Sequence, residues 1–137
     1  MSDTTTSEIK PVTIRSDRVA ALILIYKREG MSNEEFEKYW LEEHSRVVQS
    51  VDYIQRHILK CEQLHINQGM KALIQSMGGQ MPDWDGAVIV EADSHETLMN
   101  LAKDKGYETT IKPDEERFLD RQRAIMVPMD LATVISK

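Results

Sequence analysis

The sequence predicts an α+β fold in the order strand, helix, strand, strand, helix, strand, and three observations carry that prediction. Four apolar or alternating runs of strand length fall near residues 19–26, 54–66, 86–92 and 124–129. Ser32 and Ser94 stand directly before stretches with helical apolar spacing, where a hydroxyl can cap the first turn. Gly- and Pro-bearing breaks separate the runs. Elements in this order pack as a four-stranded antiparallel sheet with two helices on one face.

Each element has its own signal. Residues 19–26 are continuously apolar and bounded by charges, as in a strand covered on both faces. Gly30 closes the turn that follows, Ser32 and Glu35 form a capping box, and Met31 and Phe36 sit where a hydrophobic staple would, so a helix is expected over about 33–50. Residues 54–66 alternate, with His57, Leu59, Cys61, Gln63 and His65 on one face of a long second strand. Residues 70–77 suit a short helix, and 78–82 a loop. The third strand, 86–92, is followed by a helix capped by Ser94 that carries Leu98, Leu101 and Ala102 and ends at Gly106. Pro113 starts a further helical turn through Phe118, and the last strand runs over 124–129 and resumes at 131–134.

At 137 residues the chain suits one domain, 18–137, behind a polar N-terminal tail, 1–17, expected to be mobile. A net charge of -6 and the lack of a basic cluster speak against nucleic-acid binding. No apolar run approaches the roughly 20 residues that cross a bilayer, and the first residues lack a signal-peptide pattern, so no membrane partner and a cytoplasmic setting are expected. Cys61 is the one cysteine and reads as an inert core thiol. Two helices cover only one sheet face, so a second copy of the chain is the expected lid on the other.

His44 is the candidate with the clearest chemistry. Helical spacing puts it on one face with Phe36, Trp40 and Val47, between helix and sheet. An imidazole there can exchange a proton near neutral pH, or can simply be a buried side chain with satisfied nitrogens. His65 is the second candidate, provided its strand face meets the helices. A mononuclear metal site is not expected, because on an extended strand roughly 26 Å separates His57 from His65 and roughly 13 Å separates Cys61 from each. Tyr26, Tyr53, Trp84 and Tyr107 sit at element ends, where an aromatic ligand could be stacked or hydrogen-bonded, although ordinary packing explains them as well. Asp85 could orient His44 or simply belong to a turn. The run Asp114-Glu115-Glu116 reads as a solvated helix start, and the methionines of the middle segment as filler or a lid.

The unit Ala21-Leu22-Ile23-Leu24-Ile25-Tyr26 through Gly30-Met31-Ser32, followed by Phe36, Tyr39-Trp40 and His44, resembles the EthD-domain proteins of the dimeric α/β-barrel superfamily. Glu62-Gln63-Leu64-His65, Trp84-Asp85-Gly86 and the run from Pro113 to Asp120 look like its fungal members, so the likeness covers about residues 19–130. The resemblance implies a ferredoxin-like βαββαβ protomer that pairs into a homodimeric barrel. It also implies a cofactor-independent dehydratase or decarboxylase of an aromatic polyketide intermediate. Together with the residue readings above, the candidates are His44 and His65 for catalysis, with Tyr26, Phe36, Trp40, Gln63, Trp84, Asp85, Tyr107 and Phe118 around a small aromatic substrate. A cofactor-free anthrone-type oxygenase, a haem-handling relative and a non-catalytic dimer that binds a hydrophobic metabolite are the competing readings.

Overall fold

The computed structural model describes residues 9–137. Four antiparallel strands form one sheet in the order β2-β3-β1-β4. β1 (Val19–Ile25) is central and pairs with β3 (Gly86–Ala92) on one side and β4 (Ile125–Asp130) on the other, while β2 (Ile58–His65) pairs with β3. β4 tolerates Pro128 because it is an edge strand, where a missing N–H need not break a ladder. This is the ferredoxin-like α+β arrangement.

Helix α1 begins at Asn33–Tyr39, passes through a π-helical turn at Trp40–His44 and continues through Ser45–Gln49. Its start is fixed reciprocally: the Glu35 N–H donates to Ser32 Oγ, and the Ser32 N–H donates to Glu35 Oε1. α2 (Asp52–His57) occupies the stretch whose alternation suggested an early start to β2. Its own side chains explain the difference. Arg56 pairs with Asp52 at 3.0 Å, the rings of Tyr53 and His57 lie 4.5 Å apart, and Tyr53 donates to the Thr97 carbonyl. These i,i+4 pairs favour a helix over an extended chain. His57 therefore lies outside the strand, and the extended-strand separation holds only from Ile58 onward.

α3 (Gln68–Ser76) is the expected short helix, and α4 (His95–Leu101) is capped by Ser94, whose Oγ accepts the Thr97 N–H. Gly106 does not end α4. It opens α5, which runs from a π-helical turn at Tyr107–Ile111 into Lys112–Glu115. Residues 131–134 carry no strand. Of the expected tail, residues 1–8 lie outside the described residues, and further along the Arg15 N–H donates to the Leu131 carbonyl, so that stretch is fastened to the chain beyond β4.

The core lies between sheet and helices. Ile25, Phe36, Trp40, Phe118 and Leu119 form one cluster, and Ala21, Val90, Ala92 and Leu98 form another. Alternation then turns Leu22 and Leu24 to the outer face of the sheet, beside Ile89, Val127 and Ile125 in register. Ile125, Met129 and Leu64 on that face are exposed in the protomer.

Candidate functional site

The inner face of the sheet and the helices form a partly open cavity of about 490 Å³. That is the size range of small-molecule sites. Sheet residues Ile23, Val88 and Val90 form its apolar floor, and Leu98, Leu101 and Ile111 much of its wall.

His44 lies in this lining, delivered by the π-helical turn of α1. A π turn widens the helix by one residue and recurs at functional positions. The imidazole is 7 % exposed, and its ring lies 4.7 Å from that of Phe118. Nδ1 is 2.7 Å from Asp114 Oδ2. The other carboxylate oxygen accepts the Tyr39 hydroxyl at 2.5 Å, and Arg117 lies at its edge, 3.9 Å away. Burial first, and then Asp114, pushes the Tyr39 phenol above its ordinary pKa and keeps it a donor. Asp114 thus fixes the tautomer with the proton on Nδ1, and Nε2 has no protein partner among the described residues.

Asp114 is the residue the sequence reading placed wrongly. It is 8 % exposed and belongs to the interior rather than to a solvated helix start. A signal was there: Ile111, Asp114 and Phe118 follow helical spacing, so the carboxylate falls on an apolar stripe, as His44 does. Asp85 does not orient His44. Its Oδ2 accepts the Lys27 N–H at 2.8 Å, in the turn role.

The inward face of β2 is the one carrying Cys61 and Gln63, both in the lining. Cys61 is exposed in the protomer rather than a core thiol, because β2 is an edge strand, and desolvation by the residues around its sulfur still pushes the thiol up. Gln63 donates Nε2–H to the Trp40 carbonyl at the head of the π turn, at 3.0 Å. Its Oε1 faces His65 Nε2 at 2.7 Å, and His65 Nδ1 meets the Glu37 carboxylate. His65 therefore has both nitrogens engaged and stacks on Trp40 with ring centroids 4.0 Å apart. It stands outside the lining and supports the π turn through Gln63, a positioning rather than a proton-transfer placement.

A second polar group lies on α5 and the segment after it. Tyr107 donates to Glu115 Oε1 at 2.9 Å, Arg121 Nε donates to the same oxygen at 3.0 Å, and an Arg121 Nη2 proton reaches the Tyr107 oxygen at 3.2 Å. All three line the cavity. Glu115 and Arg121 were not anticipated. Burial, with Glu115 adding to it, pushes the Tyr107 phenol up to about 12.

The structure thus brings His44, Trp40, Gln63, Tyr107 and Phe118 to one cavity. It leaves the other candidates elsewhere. Phe36 is core beneath Trp40, with ring centroids 5.3 Å apart. Tyr26 donates to Asp83 at 3.1 Å beneath the Arg123 guanidinium, and Trp84 is half-buried before β3, away from the lining.

A family model for the EthD domain matches residues 28–122, a span that includes α1, β2, β3 and Asp114. The chain belongs to the EthD domain family. Solved structures share the fold of this EthD-family chain at low identity. A dimeric protein of unknown function with a ferredoxin-like fold from Bacteroides fragilis is 14% identical, with 87% of this chain and 100% of that one covered and a TM-score of 0.60. An ethyl tert-butyl ether D (EthD) family protein from Bacillus halodurans is 13% identical, with 82% and 96% covered and a TM-score of 0.54. A hypothetical Arabidopsis thaliana protein is 11% identical, with 91% and 96% covered and a TM-score of 0.57. No curated protein is significantly similar.

Proposed function

We propose that this EthD-family protein is a cofactor-independent lyase that removes water or carbon dioxide from an aromatic polyketide intermediate, with His44 as acid/base and Asp114 as its orienting partner. The placement of His44 supports this reading: Nδ1 is held by a buried carboxylate at 2.7 Å, and the same ring lines an apolar cavity of about 490 Å³. A carboxylate on one imidazole nitrogen stabilises the positive charge that forms when the other takes a proton.

For loss of water, Nε2 takes the activated C–H proton of a β-hydroxy ketone, the electron pair forms the new C=C bond, and the departing hydroxyl leaves as water with a proton returned by the imidazolium. For loss of carbon dioxide, the imidazolium protonates ring carbon, the C–C bond to the carboxylate breaks and rearomatises the ring, and water restores the proton. General acid–base catalysis by one such group contributes about 100- to 10,000-fold. The working assembly in this proposal is a homodimer closed through the outer sheet faces. Its support is the apolar surface of Leu22, Leu24, Ile89, Val127 and exposed Ile125, together with the dimeric state of the B. fragilis protein of the same fold.

The test is incubation with β-hydroxy ketone and hydroxyaryl acid probes, followed by mass spectrometry. Wild-type protein is expected to give a product lighter by water or by carbon dioxide, and His44→Ala to give none while keeping its circular dichroism. Full turnover by His44→Ala would sink the assignment, and oxygen uptake in place of mass loss would make the protein an oxygenase.

A further inference from the structure

The lining of the cavity carries little net charge, and its charges are already engaged. Among the described residues that line it, Arg121 is the one full cation, and its Nε is bonded to the Glu115 carboxylate at 3.0 Å. The imidazole of His44 faces a second carboxylate, Asp114, so whatever positive charge it gains is matched there. A ligand carboxylate in this cavity would meet the Glu115 carboxylate and a guanidinium already paired with it, inside an otherwise apolar wall, with Asp114 behind His44 and outside the lining. Moving an unpaired charge out of water against such a wall is unfavourable.

A neutral hydroxyl meets the opposite situation. Among the described residues Glu115 Oε2 carries no hydrogen bond and is open as an acceptor, and Arg121 keeps N–H donors beyond those given to Glu115 and Tyr107. A phenol or alcohol is at once donor and acceptor, and can use both. The high pKa of Tyr107 keeps its proton on the bond to Glu115, so this group does not gain a further negative charge at neutral pH.

We infer that the cavity takes a neutral, polyhydroxylated aromatic ligand and discriminates against carboxylates, with Glu115 and Arg121 as the specificity-determining pair. The inference rests on the cavity being the substrate site proposed above, and it selects one of the two reactions left open there. An aryl acid enters as an anion, whereas a hydroxy ketone enters neutral, so the reaction is loss of water. The C–H proton moves to His44 Nε2, the C–O bond breaks, and the imidazolium returns a proton to the leaving oxygen as the ring gains its double bond.

The test is equilibrium binding, by intrinsic tryptophan quenching and calorimetry, of 1,8-dihydroxynaphthalene and of 1-hydroxy-2-naphthoate at neutral pH. Wild-type protein should bind the neutral probe tighter by about tenfold or more, and Glu115→Gln, which frees the guanidinium, should narrow or reverse that preference. Equal or tighter binding of the carboxylate by wild type overturns the inference while leaving the lyase reading standing. An unchanged preference in a folded Glu115→Gln variant removes Glu115 from it. Binding of neither probe overturns both the inference and the cavity as an aromatic site.

Discussion

Tyr107 shows how closely charge and burial are joined at the level of single residues. Its phenol is raised from 10.0 to about 12, with burial as the first cause and Glu115 the next. The folded state therefore holds this proton more tightly than the unfolded chain does. The stabilisation this provides is fully present below about pH 10 and is lost as pH rises through about 12. All four tyrosines are held above their ordinary value, and following tyrosinate absorbance against pH should show Tyr107 titrating last, a phase that Tyr107→Phe should remove. A late phase that persists in that variant would assign the shift elsewhere. The same residue scale explains what could be read from sequence. His44 was visible because an imidazole on an apolar stripe is rare chemistry, whereas Asp114 was masked by acidic neighbours that invite a solvated reading. The spacing to Ile111 and Phe118 carried the contrary signal, and only packing shows which of three adjacent carboxylates turns inward. Glu115 needed the same knowledge, since its partners lie 8 positions back at the start of α5, in Tyr107, and 6 positions on, past the end of that helix, in Arg121.

Among the elements, the π turn of α1 depends on β2 and β3. Trp40 begins that turn, its carbonyl accepts from Gln63, its ring lies on His65, and it packs over Gly86 at the start of β3. A Cβ at Gly86 would stand 2.7 Å from the indole, so the glycine is what allows the ring to lie so close to the strand. Gly86→Ala should cost about 1–3 kcal/mol, as overpacking of a dense core does, and lower the denaturant midpoint. An unchanged midpoint would mean that Trp40 can move at no cost and that the turn is not held this way. At this scale the strand and helix types were legible in hydrophobic period and capping residues. α2 was not, because 54–57 satisfy alternation as well as helical pairing, and the bonds from Tyr53 to Thr97 and from Arg56 to Asp52 decide the matter.

For the molecule as a whole, the protomer packs its helices on one face of the sheet and leaves on the other an apolar patch bordered by the charged Lys60, Glu62 and Glu91. The order of elements made that imbalance legible before any coordinates, since two helices cannot cover both faces of four strands. A face carrying Leu22 between Ile89 and Val127 is unusual for a surface left in water. Leu22→Glu should convert the proposed dimer to monomer in sedimentation velocity, because a carboxylate there has no cation opposite it in register. A wild-type monomer at micromolar concentration would remove the dimer from the account.

Proton transfer by His44 under the direction of Asp114 is tested most directly by the turnover number of Asp114→Asn. An amide can donate to Nδ1 and so moves the proton to Nε2, the wrong tautomer for a base, while altering the volume of the site very little. The expected result is a fall in kcat of about 100-fold or more with substrate binding and melting temperature nearly unchanged. A kcat within about twofold of wild type, in a folded variant, would contradict it.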